Sequence, residues 1–175
     1  PVPAFTKKSR KLLIENGEMD WKSINPDIFG SMFQSIVDPE QRHELGMHYT
    51  SRENIMKVIN PLFLDSLRAD FEKAKATAKK LEAFHNRLSE IKIFDPACGS
   101  GNFLILAYEK LRELEMDVLE AKGQIAELFP RININQFHGI EIDDFAHELG
   151  MLALWIEEHQ MNLSFRERFQ SSPDA

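Results

Sequence analysis

The chain has 175 residues, 43% of them hydrophobic and 28% charged, with a formal net charge of −7 and a mean hydropathy of −0.34. That is enough apolar material for about one folded domain and too much for a disordered chain, and no apolar run approaches the roughly 18 residues of a membrane span. An acidic chain grips nucleic acid poorly by itself, so if DNA is the substrate most phosphate contacts lie elsewhere; the single cysteine, Cys98, excludes an internal disulfide framework and suits a reducing, cytoplasmic setting.

The first eight residues, ending in Thr6-Lys7-Lys8, lack the apolar stretch of a signal peptide. Lys7, Lys8, Arg10 and Lys11 lead into Leu12, Leu13 and Ile14, which predicts a short helix with a solvated charged face. Asn25-Pro26-Asp27 reads as a helix start; Ile28, Phe29, Met32, Phe33 and Ile36 then face a core until Pro39. Residues 46–51 (Gly-Met-His-Tyr-Thr-Ser) form a loop, after which Thr50 or Ser51 caps a helix, with Glu53 at capping-box spacing from Thr50. Ile55, Val58, Ile59, Leu62 and Phe63 make its apolar stripe, and Pro61 either kinks it or opens a second helix capped by Asn60. Helical text continues from Leu62 to Leu88, where Lys73, Lys75, Lys79 and Lys80 alternate with acids as a wet face.

The texture then changes. Residues 91–95 (Ile-Lys-Ile-Phe-Asp) predict a short buried strand, 96–101 a tight turn, and Asn102 to about Leu119 a helix with Phe103, Leu104, Leu106, Ala107, Leu111 and Leu114 inward. Residues 136–142 predict a second strand, and Asp143 or Asp144 caps a helix burying Phe145, Leu149, Leu152, Ala153 and Ile156. Strand, glycine turn, helix, strand, helix opens an α/β domain with a parallel sheet, its two strands neighbours through a right-handed crossover. Two strands are fewer than such a sheet carries, so the chain reads as part of a larger protein, with a free sheet edge through which it can self-associate. The stretch 120–136 is longer than a helix-to-strand connection needs and reads as a surface insertion.

A glycine turn between strand and helix is where open α/β sheets hold ligands, because glycine lets the backbone approach closely and the helix start offers free N–H groups. A phosphate loop requires Lys and Ser or Thr after its last glycine; Gly101 is followed by Asn102 and Phe103. A dinucleotide loop requires a third glycine where Leu104 stands, and Asp95 is unhelpful beside a pyrophosphate. S-adenosylmethionine fits better: it has no phosphate, its ammonium and sulfonium suit Asp95, and its ribose diol suits a carboxylate such as Glu141, with Ile142 beside the adenine. Plainer readings compete with each assignment. The glycines can form only a sharp turn, Asp95 a turn before Pro96, Glu141 an exposed strand-end acid, Asp143 a helix cap and Cys98 a small filler.

Asp95-Pro-Ala-Cys-Gly-Ser-Gly-Asn-Phe-Leu resembles the methionine-binding motif of DNA amino-methyltransferases, Gly139-Ile-Glu-Ile-Asp their ribose motif, and residues 46–51 with the helix that follows the pocket-completing motif of the adenine-N6 class. The combination, over about residues 24–160, is similar to restriction-modification and phage-defence proteins that fuse this domain to other modules. The resemblance implies a Rossmann-like methyltransferase sheet over 91–175, incomplete here, preceded by a helical segment over 1–90 that carries the pocket loop. It further implies S-adenosylmethionine as cofactor, double-stranded DNA as the parent protein's partner, and methyl transfer to adenine N6. The cofactor-binding residues it implies are Tyr49, Thr50, Asp95, Ala97, Cys98, Gly99, Gly101, Asn102, Glu141 and Ile142. The sequence departs from the family in two respects: it contains no Asn/Asp-Pro-Pro-Tyr/Phe motif, which cradles the flipped adenine, and no target-recognition domain, so the expectation is a chain that binds cofactor at best weakly and methylates nothing.

Rival readings are a protein or RNA methyltransferase, against which the motif at 46–51 argues, and a non-catalytic scaffold. His43 and His48 are five residues apart with Gly46 between them, which breaks the zinc-protease pattern, and the other histidines lack ligand spacing, so no metal is expected.

Overall fold

A computed structural model describes residues 5–19, 50–123 and 129–169. The helix expected over 28–36 and Tyr49 lie outside them. Helix α1 (Lys7–Gly17) is capped by Thr6, whose side chain accepts from the Ser9 N–H, and it buries no residue. Helix α2 (Arg52–Ile59) is capped by Ser51, which accepts from Asn54. Thr50 therefore stands one residue outside the helix, and the capping box expected between Thr50 and Glu53 is not formed.

Pro61 does not sit within a regular α-helix. Asn60–Leu64 is a π-helical turn with the proline near its start, and it passes directly into α3 (Asp65–Ala74). The wide turn accommodates a ring that would clash in an α-helix interior. It also rotates the stripe: Ile55, Ile59 and Leu64 are buried, whereas Val58 and Leu62 face outward. The predicted helix over 62–88 is interrupted at Lys75–Thr77, and Thr77 caps α4 (Ala78–Glu90) through the Lys80 N–H. Lys73 and Lys75 pair with Asp70 and Glu72 on an exposed face, as the charge alternation predicts.

Strand β1 (Ile93–Asp95) and strand β2 (Phe137–Gly139) pair in parallel, with Ile93 opposite Phe137 and Asp95 opposite Gly139. Between them runs α5 (Asn102–Lys122), and after β2 runs α6 (Asp144–Phe169). This is the α/β order the sequence predicts. Both strands are shorter than expected, and β1 is not buried on both faces, since Phe94 is 58% exposed. On α6, Ala153 and Ile156 are buried, but Phe145 and Leu152, expected inward, are exposed together with Trp155. A two-stranded sheet has too little surface to cover them.

Helix α5 is the axis of the molecule. Leu104, Leu106, Ala107, Leu111, Leu114 and Val118 are all buried, packed between α2, α4, α6 and the sheet. It also buries Glu109, Arg112 and Glu115. Buried charges require partners; these have them, although Arg112 Nε and Glu115 Oε2, 3.5 Å apart as an ion pair, make no hydrogen bond. Glu115 Oε1 accepts from the Arg131 and Ile132 N–H groups at 2.6 and 3.2 Å and lies 3.0 Å from His85 Nε2. Arg112 donates to the Tyr108 hydroxyl, to Asn162 Oδ1 and to the Met161 carbonyl. The described end of the insertion is thus tied to α5 by a carboxylate, and α6 by a guanidinium. Gln136 closes the layer by donating to the Leu88 and Ile91 carbonyls, clamping the end of α4 to the start of β2.

Candidate functional site

Strand β1 ends at Asp95, and its Oδ1 accepts from the Ala97 N–H at 3.0 Å, so Asp95 does turn the chain as the plainer reading held. The next residues are stitched to the extension of β2: Ile140 N–H donates to the Asp95 carbonyl and Cys98 N–H to the Ile140 carbonyl, each at 3.0 Å. Gly99 and Gly101 both have positive φ, at +54° and +81°. A side chain at either would be strained in this left-handed region. A Cβ on Gly99 would meet nothing within 4 Å, so open space borders the loop there.

Glu141 closes the corner from the neighbouring strand end. Its Oε2 accepts from the Gly99 N–H at 2.7 Å, and its Oε1 from the Ile142 and Asp143 N–H groups at 2.8 and 2.9 Å. It is therefore not merely an exposed strand-end acid: it latches the glycine loop. Two carboxylate oxygens offer about four acceptor directions, so capacity for a further donor remains. Ile142 next to it is 86% exposed. Asp143 is the helix cap, Oδ1 accepting from Ala146 N–H at 2.7 Å. Asn102, the first residue of α5, has a buried Oδ1 with no hydrogen-bond partner.

Cys98 does not resemble a nucleophile. Burial pushes its thiol pKa up, and the charges of Asp95 and Glu141 push it further. Its Sγ lies against Gly139, where a Cβ would stand 2.6 Å from it. Two glycines that sequence reasoning passed over become legible here. Gly139 leaves room for Cys98, and Gly150 on α6 lies under the loop, a Cβ there standing 3.2 Å from the Ser100 carbonyl carbon. For Gly150 the available signal was a glycine inside a helical pattern, which costs about 1 kcal/mol against alanine and so asks for a packing reason.

The structure thus brings Asp95, Ala97, Cys98, Gly99, Gly101, Asn102, Glu141 and Ile142 into one corner at the end of the sheet. Thr50 sits in exposed chain just before α2, and α2 is anchored to α5 by Arg52, whose Nη2 donates to both Glu109 oxygens at 2.5 and 2.6 Å. Despite the opposing effect of burial, hydrogen bonds from Arg52 and Lys110 hold the Glu109 pKa below the ordinary range. Among the described residues no group of three His, Cys, Asp or Glu could hold a metal ion, and no helix is long and apolar enough to cross a membrane. His85 is buried between Glu115 and Lys122 as a structural residue.

A parallel β-α-β-α unit whose glycine loop is latched by the acid after its second strand is the opening part of a methyltransferase α/β domain. Residues 71–175 match the family described as MmeI, DNA-methyltransferase domain. The chain belongs to this family. It is 53% identical over 162 residues to DNA methyltransferase A of Bacillus subtilis, covering 90% of this chain and 18% of that protein. It is 28% identical over 163 residues to a putative type II restriction enzyme and methyltransferase of Methanocaldococcus jannaschii, covering 76% of this chain and 14% of that protein. The solved structure of the type IIL restriction-modification enzyme MmeI in complex with DNA superposes with a TM-score of 0.87 at 45% identity, over 98% of this chain and 24% of that one. The chain thus spans less than a quarter of the length of these relatives.

Proposed function

We propose that this chain forms the methyl-donor-binding part of a DNA adenine-N6 methyltransferase in a restriction-modification protein, with S-adenosylmethionine as its cofactor and double-stranded DNA as the partner of the whole protein. The observation that carries the reading is the latch of Glu141 on Gly99, which unites an acid and a side-chain-free loop at the end of a parallel sheet. The residues fit the cofactor chemically. Glu141 would accept from the ribose hydroxyls, Asp95 would face the cationic methionine end, and Ala97, Cys98, Gly99 and Gly101 would bring backbone against it. Asn102 Oδ1, buried and unpaired, suits an ammonium donor, and exposed Ile142 suits the adenine face. Tyr49 and Thr50 would complete the methionine end from the N-terminal segment.

The cofactor, when bound, supplies an electrophilic methyl group on a sulfonium. The protein's part is orientation and the exclusion of water around a cationic donor, with no covalent enzyme intermediate. Titration calorimetry with S-adenosylmethionine tests the reading: wild type binds, and Glu141→Ala loses at least tenfold in affinity. Equal heats, or none in both, overturn it. The adenine class is read by incubating the full-length protein with duplex DNA and identifying the methylated nucleoside by mass spectrometry; N6-methyladenine is expected, and a methylated cytosine refutes the class.

A further inference from the structure

We propose that Arg52 and Glu109 are positioning residues that fix the Thr50 end of the cofactor pocket against the glycine loop; the inference rests on the reading of the site above.

Arg52 is the first residue of α2, two residues after Thr50, and its guanidinium grips both oxygens of Glu109. A cation in the first turn of a helix opposes the helix dipole, so Arg52 is there against local preference. Glu109 lies seven residues into α5, about 10 Å along the axis from Asn102. It is largely buried, with Arg52 and Lys110 as its hydrogen-bond donors, and at such a position an apolar residue of similar size often serves stability as well. Two residues that each oppose their local setting but match each other, one Nη2 donating to both carboxylate oxygens, specify geometry rather than add stability.

The geometry they specify joins the two parts of the pocket. The N-terminus of α5 carries Gly101 and Asn102, its second turn carries Glu109, and the rigid helix between them makes the glycine loop and the Thr50 segment one body. The cap of α2 is purely local, from Ser51 to Asn54, and does not tie Thr50 to the sheet. Ile55 and Ile59 bury the inner face of α2, and the Arg52 contact with Glu109 adds a polar tie at its first residue.

The test uses hydrogen exchange and calorimetry on this chain as wild type, Glu109→Gln, Glu109→Leu, Arg52→Met and the double variant Arg52→Met with Glu109→Leu. The amides of Asn54 and Ile55, which bond the Ser51 carbonyl, should exchange about tenfold faster in each single variant, and no faster in the double variant, because the same Arg52–Glu109 contact is lost either way and the Lys110 bond to Glu109 does not involve α2. The amide of Gly99 should be unchanged. Affinity for S-adenosylmethionine should fall about tenfold while the melting temperature of Glu109→Leu stays near wild type. Unchanged exchange at Asn54 and Ile55, or additive effects in the double variant, overturns the inference. Should wild type bind no S-adenosylmethionine, the functional reading fails, and a link between Thr50 and the pocket fails with it.

Discussion

Gly139→Ala is the sharpest perturbation of the site that leaves its chemistry untouched. The new methyl would stand 2.6 Å from Cys98 Sγ, 3.0 Å from Cys98 Cβ and 3.1 Å from Leu104 Cδ1. Carbon packs comfortably at about 3.5–4.0 Å, so the closest pair overlaps by about 1 Å. The Cys98 backbone is held by its N–H bond to Ile140 and Leu104 is buried in α5, so relief requires Sγ to rotate away and the Cys98 Cβ and Leu104 contacts to give by a few tenths of an ångström. Overpacking of this kind costs about 1–3 kcal/mol, which for a chain of this size lowers the melting temperature by roughly 2–4 °C per kcal/mol. Calorimetric melting of wild type, Gly139→Ala, Cys98→Ala and the double variant measures it. Removing Sγ takes away the nearest obstacle but leaves the contacts at 3.0 and 3.1 Å, so the double variant should recover part of the loss, with a coupling of at least about 0.5 kcal/mol. A Gly139→Ala protein that melts within a degree of wild type, or strictly additive losses, would refute the steric argument.

Two further outcomes follow from the charged groups. Hydrogen bonds from Lys122 and then Arg131 lower the Glu82 pKa from 4.5 to about 2. A carboxyl with a depressed folded pKa stabilises the fold fully above its ordinary value and loses that contribution as pH falls toward the depressed one, so wild type should lose stability between pH 4.5 and 2 more steeply than Glu82→Gln in acid titrations followed by circular dichroism. Glu115→Ala strips the acceptor from two backbone N–H groups and His85 and leaves Arg112 facing a gap. Breaking a fully buried pair in this way costs about 3–5 kcal/mol, read by urea unfolding, and a loss below about 1 kcal/mol would show that the network is not cooperative.

The order of elements was legible because its cues are local. A strand ending in Asp95-Pro96, glycines before a long apolar helix, and Asp143 before the next helix each act within a few residues. The residue types of the corner formed by Asp95, Gly99 and Glu141 were legible at two strand ends, but the bond from Gly99 to Glu141 joins positions 42 residues apart and follows only from the parallel pairing of the strands. The π-helical turn at Asn60–Leu64 was not, because periodicity cannot distinguish a wide turn from a kink at Pro61. Phe145 and Leu152 were assigned inward from spacing alone; which side of α6 is covered depends on how many strands lie beneath it. The pairings of Glu109 with Arg52 and Glu115 with Arg131 span long sequence separations, and no single-residue pattern announces them.

The approach of Gly150 to Ser100 and Gly101 gives the loop a floor of bare main chain. A Cβ at 150 would stand 3.2 Å from the Ser100 carbonyl carbon and 3.4 Å from the Gly101 nitrogen, so the loop above would have to give by a few tenths of an ångström. Helix α6 therefore supports the glycine loop by what it omits, and a stability screen of this corner should include position 150.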